Sequence, residues 1–182
     1  MGQIVQMNKS KIYKISFLAV GVLFILTANF IRMGIPLLHV LSEDQRNDGI
    51  KVIAYYDTLI IPDSIIFDLW DVSVNNSPAD VMRVFLQFSE TLKERNFSKI
   101  YLSFRGNKKF YIQGAYFKTL GNEYNTQNPV YTLRTFPQHL LKLDDSEAYP
   151  TWSGGLIGVF SAEIKDLNDF QNVWYIREIN QE

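Results

Sequence analysis

The chain has 182 residues, a formal net charge of −1, 47% hydrophobic and 14% aromatic residues, and no cysteine. That leaves room for one domain with a short anchor or tail, and enough apolar content for a packed core, which excludes bulk disorder. The lack of cysteine excludes disulfides, thiolate metal sites, cysteine nucleophiles and a thioether-linked lipid anchor.

Charge is unevenly placed. Lys9, Lys11, Lys14 and Arg32 give the first 32 residues +4 with no acid, and the other 14 basic and 19 acidic residues give −5. A domain of that sign offers no clustered cations for phosphate, so nucleic acid is not an expected partner. Met1-Gly2 is not a myristoylation signal, because Gln6 stands where Ser or Thr is needed.

From Ile15 to Ile31 the sequence carries no charge. As a helix this run is about 26 Å long, near the lower limit for a bilayer core. Lys14 can extend its stem and keep its ammonium in the interface. Three lysines precede the run and one arginine follows it, so the positive-inside rule puts the N-terminus in the cytoplasm. A cleaved leader shares the pattern, but Leu26 or Asn29 spoils each cleavage site near Ala28. A core helix would show a polar face, and this run is apolar all round. The expected division is a cytoplasmic tail (1–14), a transmembrane anchor or uncleaved signal (15–32), a linker (33–49) and an extracytoplasmic domain (50–182). Gly34 and Pro36 are read as ending the helix, and SEDQRNDG as linker.

Ile50–Leu59 and Ser64–Val74 are rich in β-branched and aromatic residues, with Ile60-Ile61-Pro62-Asp63 between them, which predicts a β-hairpin. Ser77, Pro78 and Asp80 then form a helix start. Val81, Val84, Phe85, Phe88 and Leu92 share one helical face after it. Lys99–Phe104 and Lys108–Ile112 flank Arg105-Gly106-Asn107, predicting a second hairpin. Next come a short helix at Ala115–Leu120, a loop at 121–129, a strand at Val130–Arg134, a short helix at Pro137–Leu143 and a strand at Leu156–Phe160. Ser161 is read as the cap of a last helix whose buried stripe is Ile164, Leu167, Phe170, Val173 and Trp174. The fold class expected is α+β, a mainly antiparallel sheet with helices packed on one face, preceded by a transmembrane helix.

Motifs for chemistry are sparse. Asp57, Asp63 and Asp68 lie near the first hairpin, and with Arg105 they suggest a carboxylate- or metal-dependent hydrolase. Ordinary turn and strand-edge acids are the plainer reading. The two histidines, His39 and His139, form no metal motif, no serine sits in a nucleophile elbow, and no cofactor loop occurs. No metal and no cofactor are expected. The stretch from Arg105 to Arg134 combines cations, tyrosines and amides. Arg105, Lys108, Tyr111, Tyr116, Tyr124, Asn128 and Tyr131, with Trp152 beyond it, are candidate contacts for a protein, peptide or glycan. Such tyrosines also half-bury for packing alone. The function expected is a membrane-tethered extracytoplasmic binding or assembly module, held in the lipid bilayer by residues 15–32, with the hydrolase as alternative.

Overall fold

The computed structural model describes residues 9–58 and 61–181. Residues 1–8 of the expected tail, Leu59 at the end of the first expected strand and Ile60 in its turn lie outside the described residues.

Helix α1 (Lys9–Asn29) starts ahead of the apolar run. A π-helical turn over Phe30–Gly34 carries it into α2 (Ile35–Glu43). From Tyr13 to Glu43 it forms the one helix among the described residues that is long and apolar enough to cross a membrane. Its first part is bare, with Phe17, Leu18 and Phe24 exposed. Its second part is not: Met33, Leu37 and Val40, at i, i+4 and i+7, are buried in the core of the folded domain.

The helix break expected at Gly34 and Pro36 does not occur. Pro36 has no N–H to return to the carbonyl four residues back, that of Arg32. The helix widens by one π turn there, with the Ile35 N–H donating to the Phe30 carbonyl. The Arg32 carbonyl accepts instead from Arg95 Nη1, at 2.9 Å. The polar stretch that follows is a pinned corner rather than a loose linker. Asn47 is buried, and its Nδ2 donates to the Val40 carbonyl at 2.9 Å and to Gln87 Oε1 at 2.8 Å. Arg83 Nε donates to Asn47 Oδ1 at 3.1 Å. The side-chain bond from Arg46 holds the Asp44 carboxyl well below the usual carboxylate range.

The sheet has four strands in the order β1 (Ile50–Tyr56), β2 (Ile65–Val72), β3 (Lys99–Phe104), β4 (Asn107–Gln113). β1 pairs antiparallel with β2, Ala54 opposite Phe67, and β3 antiparallel with β4, Leu102 opposite Phe110. Both expected hairpins are present. They are joined by a parallel β2–β3 pairing, which needs a crossover, and α3 (Pro78–Thr91) supplies it. The Ser77–Asp80 capping box starts α3 as its sequence indicates. The domain is mixed α+β with a mostly antiparallel sheet.

The remaining elements are α4 (Gly114–Glu123), α5 (Pro129–Thr135), a 3₁₀ turn at Phe136–His139, α6 (Leu156–Gln171), a π turn at Asn172–Ile176 and α7 (Arg177–Ile179). Two expected strands are helices. Over 130–134, the β-branched residues follow an Asn-Pro pair. Asn128 Oδ1 accepts from the Val130 N–H at 2.9 Å, and this cap overrides strand propensity. Over 156–160, the apolar run is the first part of α6, so Ser161 lies inside the helix rather than at its cap. α4 also runs on through Gly121. There a Cβ would stand 2.3 Å from the Ser89 carbonyl oxygen, so a bare residue is what lets α4 close on α3. The helix expected at 137–143 is the 3₁₀ turn, after which Leu141 bridges to Tyr111.

The core is aromatic. Phe67 meets Phe85 edge-on at 5.1 Å, Phe136 and Phe170 lie 5.5 Å apart, and Phe170 stacks on Trp174 at 5.4 Å. Each such pair contributes about 0.5–1.5 kcal/mol beyond burial itself. The Trp174 indole N–H donates to the Ser103 carbonyl at 3.0 Å, tying the C-terminal helix to the middle of the sheet.

Arg95→Leu should orphan the Arg32 carbonyl and cost about 1 kcal/mol. Pro36→Ala in the same chain, which restores an N–H opposite that carbonyl, should recover most of the loss. Urea unfolding in detergent micelles, followed by tryptophan fluorescence, measures both; an equal loss in the two backgrounds would contradict the assignment.

Candidate functional site

Strand alternation divides the sheet into two faces. One carries Val52, Ala54, Phe67, Leu69, Ile100 and Leu102 into the core. The other bears Tyr55, Trp70, Tyr101 and Lys99, with Lys108 and Tyr111 from β4 beside them. Here the structure assembles several residues that the sequence singles out.

Lys108 Nζ sits 2.6 Å from Asp57 Oδ1 and 3.9 Å from the centre of the Tyr101 ring. Tyr101 and Tyr111 lie 5.7 Å apart. The Tyr111 hydroxyl donates to Asp145 at 2.6 Å, and Lys99 Nζ reaches the same carboxylate at 2.7 Å while lying 4.2 Å from the Tyr111 ring centre. Burial, then the hydrogen bond to Asp145, raises the Tyr111 phenol above its ordinary value, and the Lys99 bond lowers Asp145. The face is thus a row of lysine–tyrosine–aspartate clusters, each with its charges matched internally.

Asp68 is only 1% exposed. It accepts from the Trp70 indole at 2.9 Å and from the Gly106 N–H at 2.9 and 3.1 Å. Arg105 and Gly106 both have positive φ, 49° and 80°, the geometry of a two-residue hairpin turn, and this aims the Gly106 amide at the carboxylate. Arg105 Nε donates to the Trp70 carbonyl at 3.0 Å. Asp63 stands apart in the β1–β2 turn, accepting from the Ser98 hydroxyl at 2.6 Å. Asp57, Asp63 and Asp68 therefore hold three separate sets of partners. Among the described residues no three His, Asp or Glu side chains converge as they would around a metal ion.

The other candidates are dispersed. Asn128 caps α5. Tyr124 lines a groove of about 510 Å³ with Arg46, Arg83 and Gln127. Tyr116 is half-buried, its phenol pushed up by that burial, and its ring stacks on His139 at 3.7 Å. His139 is exposed overall, and desolvation of its ring pushes the imidazole below its usual 6.5.

Tyr131 and Trp152 belong to a third surface, at the start of α6. There Leu156 is 80% and Ile157 86% exposed, and Phe160, Val130, Tyr131 and Trp152 are exposed as well. Arg134 joins the two helices. Its guanidinium lies 5.1 Å from the Tyr131 ring centre and 5.6 Å from that of Phe160, and it pairs with the buried Glu163. Trp152 is anchored through its indole N–H to Asp166 at 2.7 Å. Sequence reasoning missed Leu156, Ile157 and Phe160 because a short apolar run fits either period. The available signal was the spacing counted back from Trp174: Phe170, Leu167, Glu163, Phe160 and Leu156 continue the same helical stripe.

No protein-family model matches the chain, no curated protein resembles it in sequence, and no solved structure matches it.

The His139–Tyr116 stack yields a pH dependence. Because folding lowers the imidazole pKa, the unfolded chain binds its proton first as pH falls. The stack's contribution is therefore complete above 6.5, the unreacted imidazole value, and is lost as pH drops through the folded value. An NMR titration should place the His139 midpoint below 6.5, and Tyr116→Ser, which uncovers the ring, should move it back up. A midpoint unchanged by that substitution would contradict the stacking account.

Proposed function

We propose that this chain is a membrane-tethered binding or assembly module, with its N-terminus in the cytoplasm and its α+β domain outside. The single observation that carries the binding reading is the overhang of α6. The stripe that this helix carries into the following π turn, Phe170 and Trp174, is fully buried in the core. Its continuation, Leu156 and Phe160, leaves the core and is exposed. Large apolar side chains gathered at one spot on a soluble domain mark a docking surface, whereas scattered ones do not. Trp152 and Tyr131 flank the overhang and suit an interface, being broad, rigid and polar at one edge. The partner class is a protein with an apolar groove that accepts the first two turns of α6.

The tether reading rests on a bare helix with basic residues ahead of it. Only 6% of its most apolar window is buried, so its side chains find no core within the domain. A bilayer core supplies that environment, and the lysine excess before the run favours a cytoplasmic N-terminus. The alternative, a carboxylate-dependent hydrolase, draws no support from the arrangement of Asp57, Asp63 and Asp68, each engaged separately.

The reading can be tested on the overhang directly. The double change Leu156→Ser, Ile157→Ser should alter unfolding free energy by no more than about 0.5 kcal/mol. Phe170→Ala, on the buried part of the same stripe, should cost about 3–5 kcal/mol. A photo-crosslinking residue at Ile157 in native membranes should give a discrete protein adduct that the same probe at Lys165, on the polar side, does not. An identical adduct pattern at both positions would remove the basis for the docking surface.

Topology has its own test. The chain has no cysteine, so the single thiol of Ser153→Cys reports its compartment. It should react with an impermeant maleimide in intact cells; labelling only after permeabilisation would reverse the orientation.

A further inference from the structure

Where the bare helix meets the domain, a cleft of about 280 Å³ opens between α1 and the β1–β2 turn. Ile25, Ala28, Asn29 and Arg32 present one helix face to it, at i, i+3, i+4 and i+7, and Tyr56 and Pro62 form the opposite wall. The cleft has fixed walls, because Asn29, 6% exposed, accepts the Tyr56 N–H through Oδ1 at 3.2 Å. This bond clamps the helix to the edge strand while leaving the space beside it open.

The chemistry of the lining is two-sided. Phe24, Ile25 and Ala28 make one end apolar, and Arg32 closes the other. Arg95, outside the lining, holds the Arg32 carbonyl and so fixes the backbone that carries the Arg32 side chain. Among the described residues neither arginine has a carboxylate partner. The nearby acids are engaged elsewhere, Asp57 by Lys108 and Asp63 by Ser98. The Arg32 guanidinium at the end of an apolar slot fits a phosphodiester joined to an acyl chain, since guanidinium binds phosphate through paired N–H donors. The volume falls below the roughly 300–1,000 Å³ of a pocket for a whole small ligand. It suits a headgroup and the first methylenes, with the remaining chain lying along α1.

We infer that this seam holds one anionic phospholipid from the leaflet adjoining the domain, its phosphate on Arg32 and its upper acyl chain against Phe24, Ile25 and Ala28. The inference rests on the membrane-spanning reading of α1, which puts the Arg32 level at the interface where basic pockets take lipid headgroups. A soluble phosphate ester would leave the apolar end of the cleft unfilled.

Native mass spectrometry of the full chain, released from nanodiscs of mixed phosphatidylcholine and phosphatidylglycerol, reads the site. One phosphatidylglycerol should remain bound. Arg32→Gln, which removes the phosphate donor, and Ala28→Trp, which fills the slot, should each reduce that retention about tenfold or more, the equivalent of about 1.4 kcal/mol. Equal retention by all three chains, or retention of phosphatidylcholine as readily, would overturn the inference. Displacement by soluble glycerol phosphate would also overturn it, by making this a site for a free ester. Flotation with pure phosphatidylcholine vesicles separates the two readings. A chain that floats there but retains no phosphatidylglycerol from the mixed nanodiscs keeps its tether and loses the lipid site, whereas one that fails to float loses the tether reading.

Discussion

Met33, Leu37 and Val40 belong at once to the long N-terminal helix and to the core of the domain, and the architecture depends on that sharing. Deleting a buried aliphatic side chain of this size costs about 2–5 kcal/mol, so three of them fix a helix strongly against the sheet. The helix therefore cannot pivot freely at the domain boundary. Hydrogen bonds reinforce the junction on both sides. Asn29 takes the Tyr56 N–H at one level, and Asn47 holds the Val40 carbonyl at the other. Between them, Arg95 satisfies the carbonyl that Pro36 leaves open. A proline that would ordinarily end a helix is accommodated because the domain donates the missing hydrogen bond.

The same economy governs the charged face of the sheet. Its lysines lie over tyrosine rings and reach aspartates within 2.6–2.7 Å, so the charges are matched locally and the rings are held in place. Partly exposed pairs of this kind contribute little to stability, up to about 1 kcal/mol each. Their effect is orientation: they leave Trp70 and the tyrosines as a fixed aromatic surface. Asp68 serves the turn beneath it rather than a reacting group, accepting the Gly106 amide that the left-handed conformation of Arg105 turns toward it. The unmatched features lie elsewhere, in the apolar overhang of α6 and in Arg32 at the cleft beside α1. These are the places where the proposed partner and lipid contacts belong.

Much of the fold is legible in the residues. Both hairpins, the α3 cap and its stripe, and the bare apolar helix follow from period, turn chemistry and the Ser77–Asp80 pair. The failures share a physical origin, since each turns on a contact between residues distant in the chain. Pro36 reads as a breaker because Arg95 lies 59 positions away in sequence but beside it in space. SEDQRNDG reads as linker because its hydrogen bonds run to α3. Leu156–Phe160 reads as a strand because its stripe is recognisable only when joined to Phe170 and Trp174. Of the candidate site, Asp57, Lys108 and Tyr111 come together on one face, but their partners Lys99 and Asp145 are set by strand register, which the local pattern does not report.

Helix and domain sharing one core should move as one rigid body with no hinge between them. The chain lacks native cysteine, so spin labels can be placed at Gly21→Cys, on the open surface of the helix, and at Val74→Cys, in the exposed turn just past β2. Pulsed electron spin resonance in nanodiscs should then return a single narrow distance distribution. A broad or multiply peaked distribution would mean that the helix swings on a flexible joint, and would contradict the shared core on which the account rests.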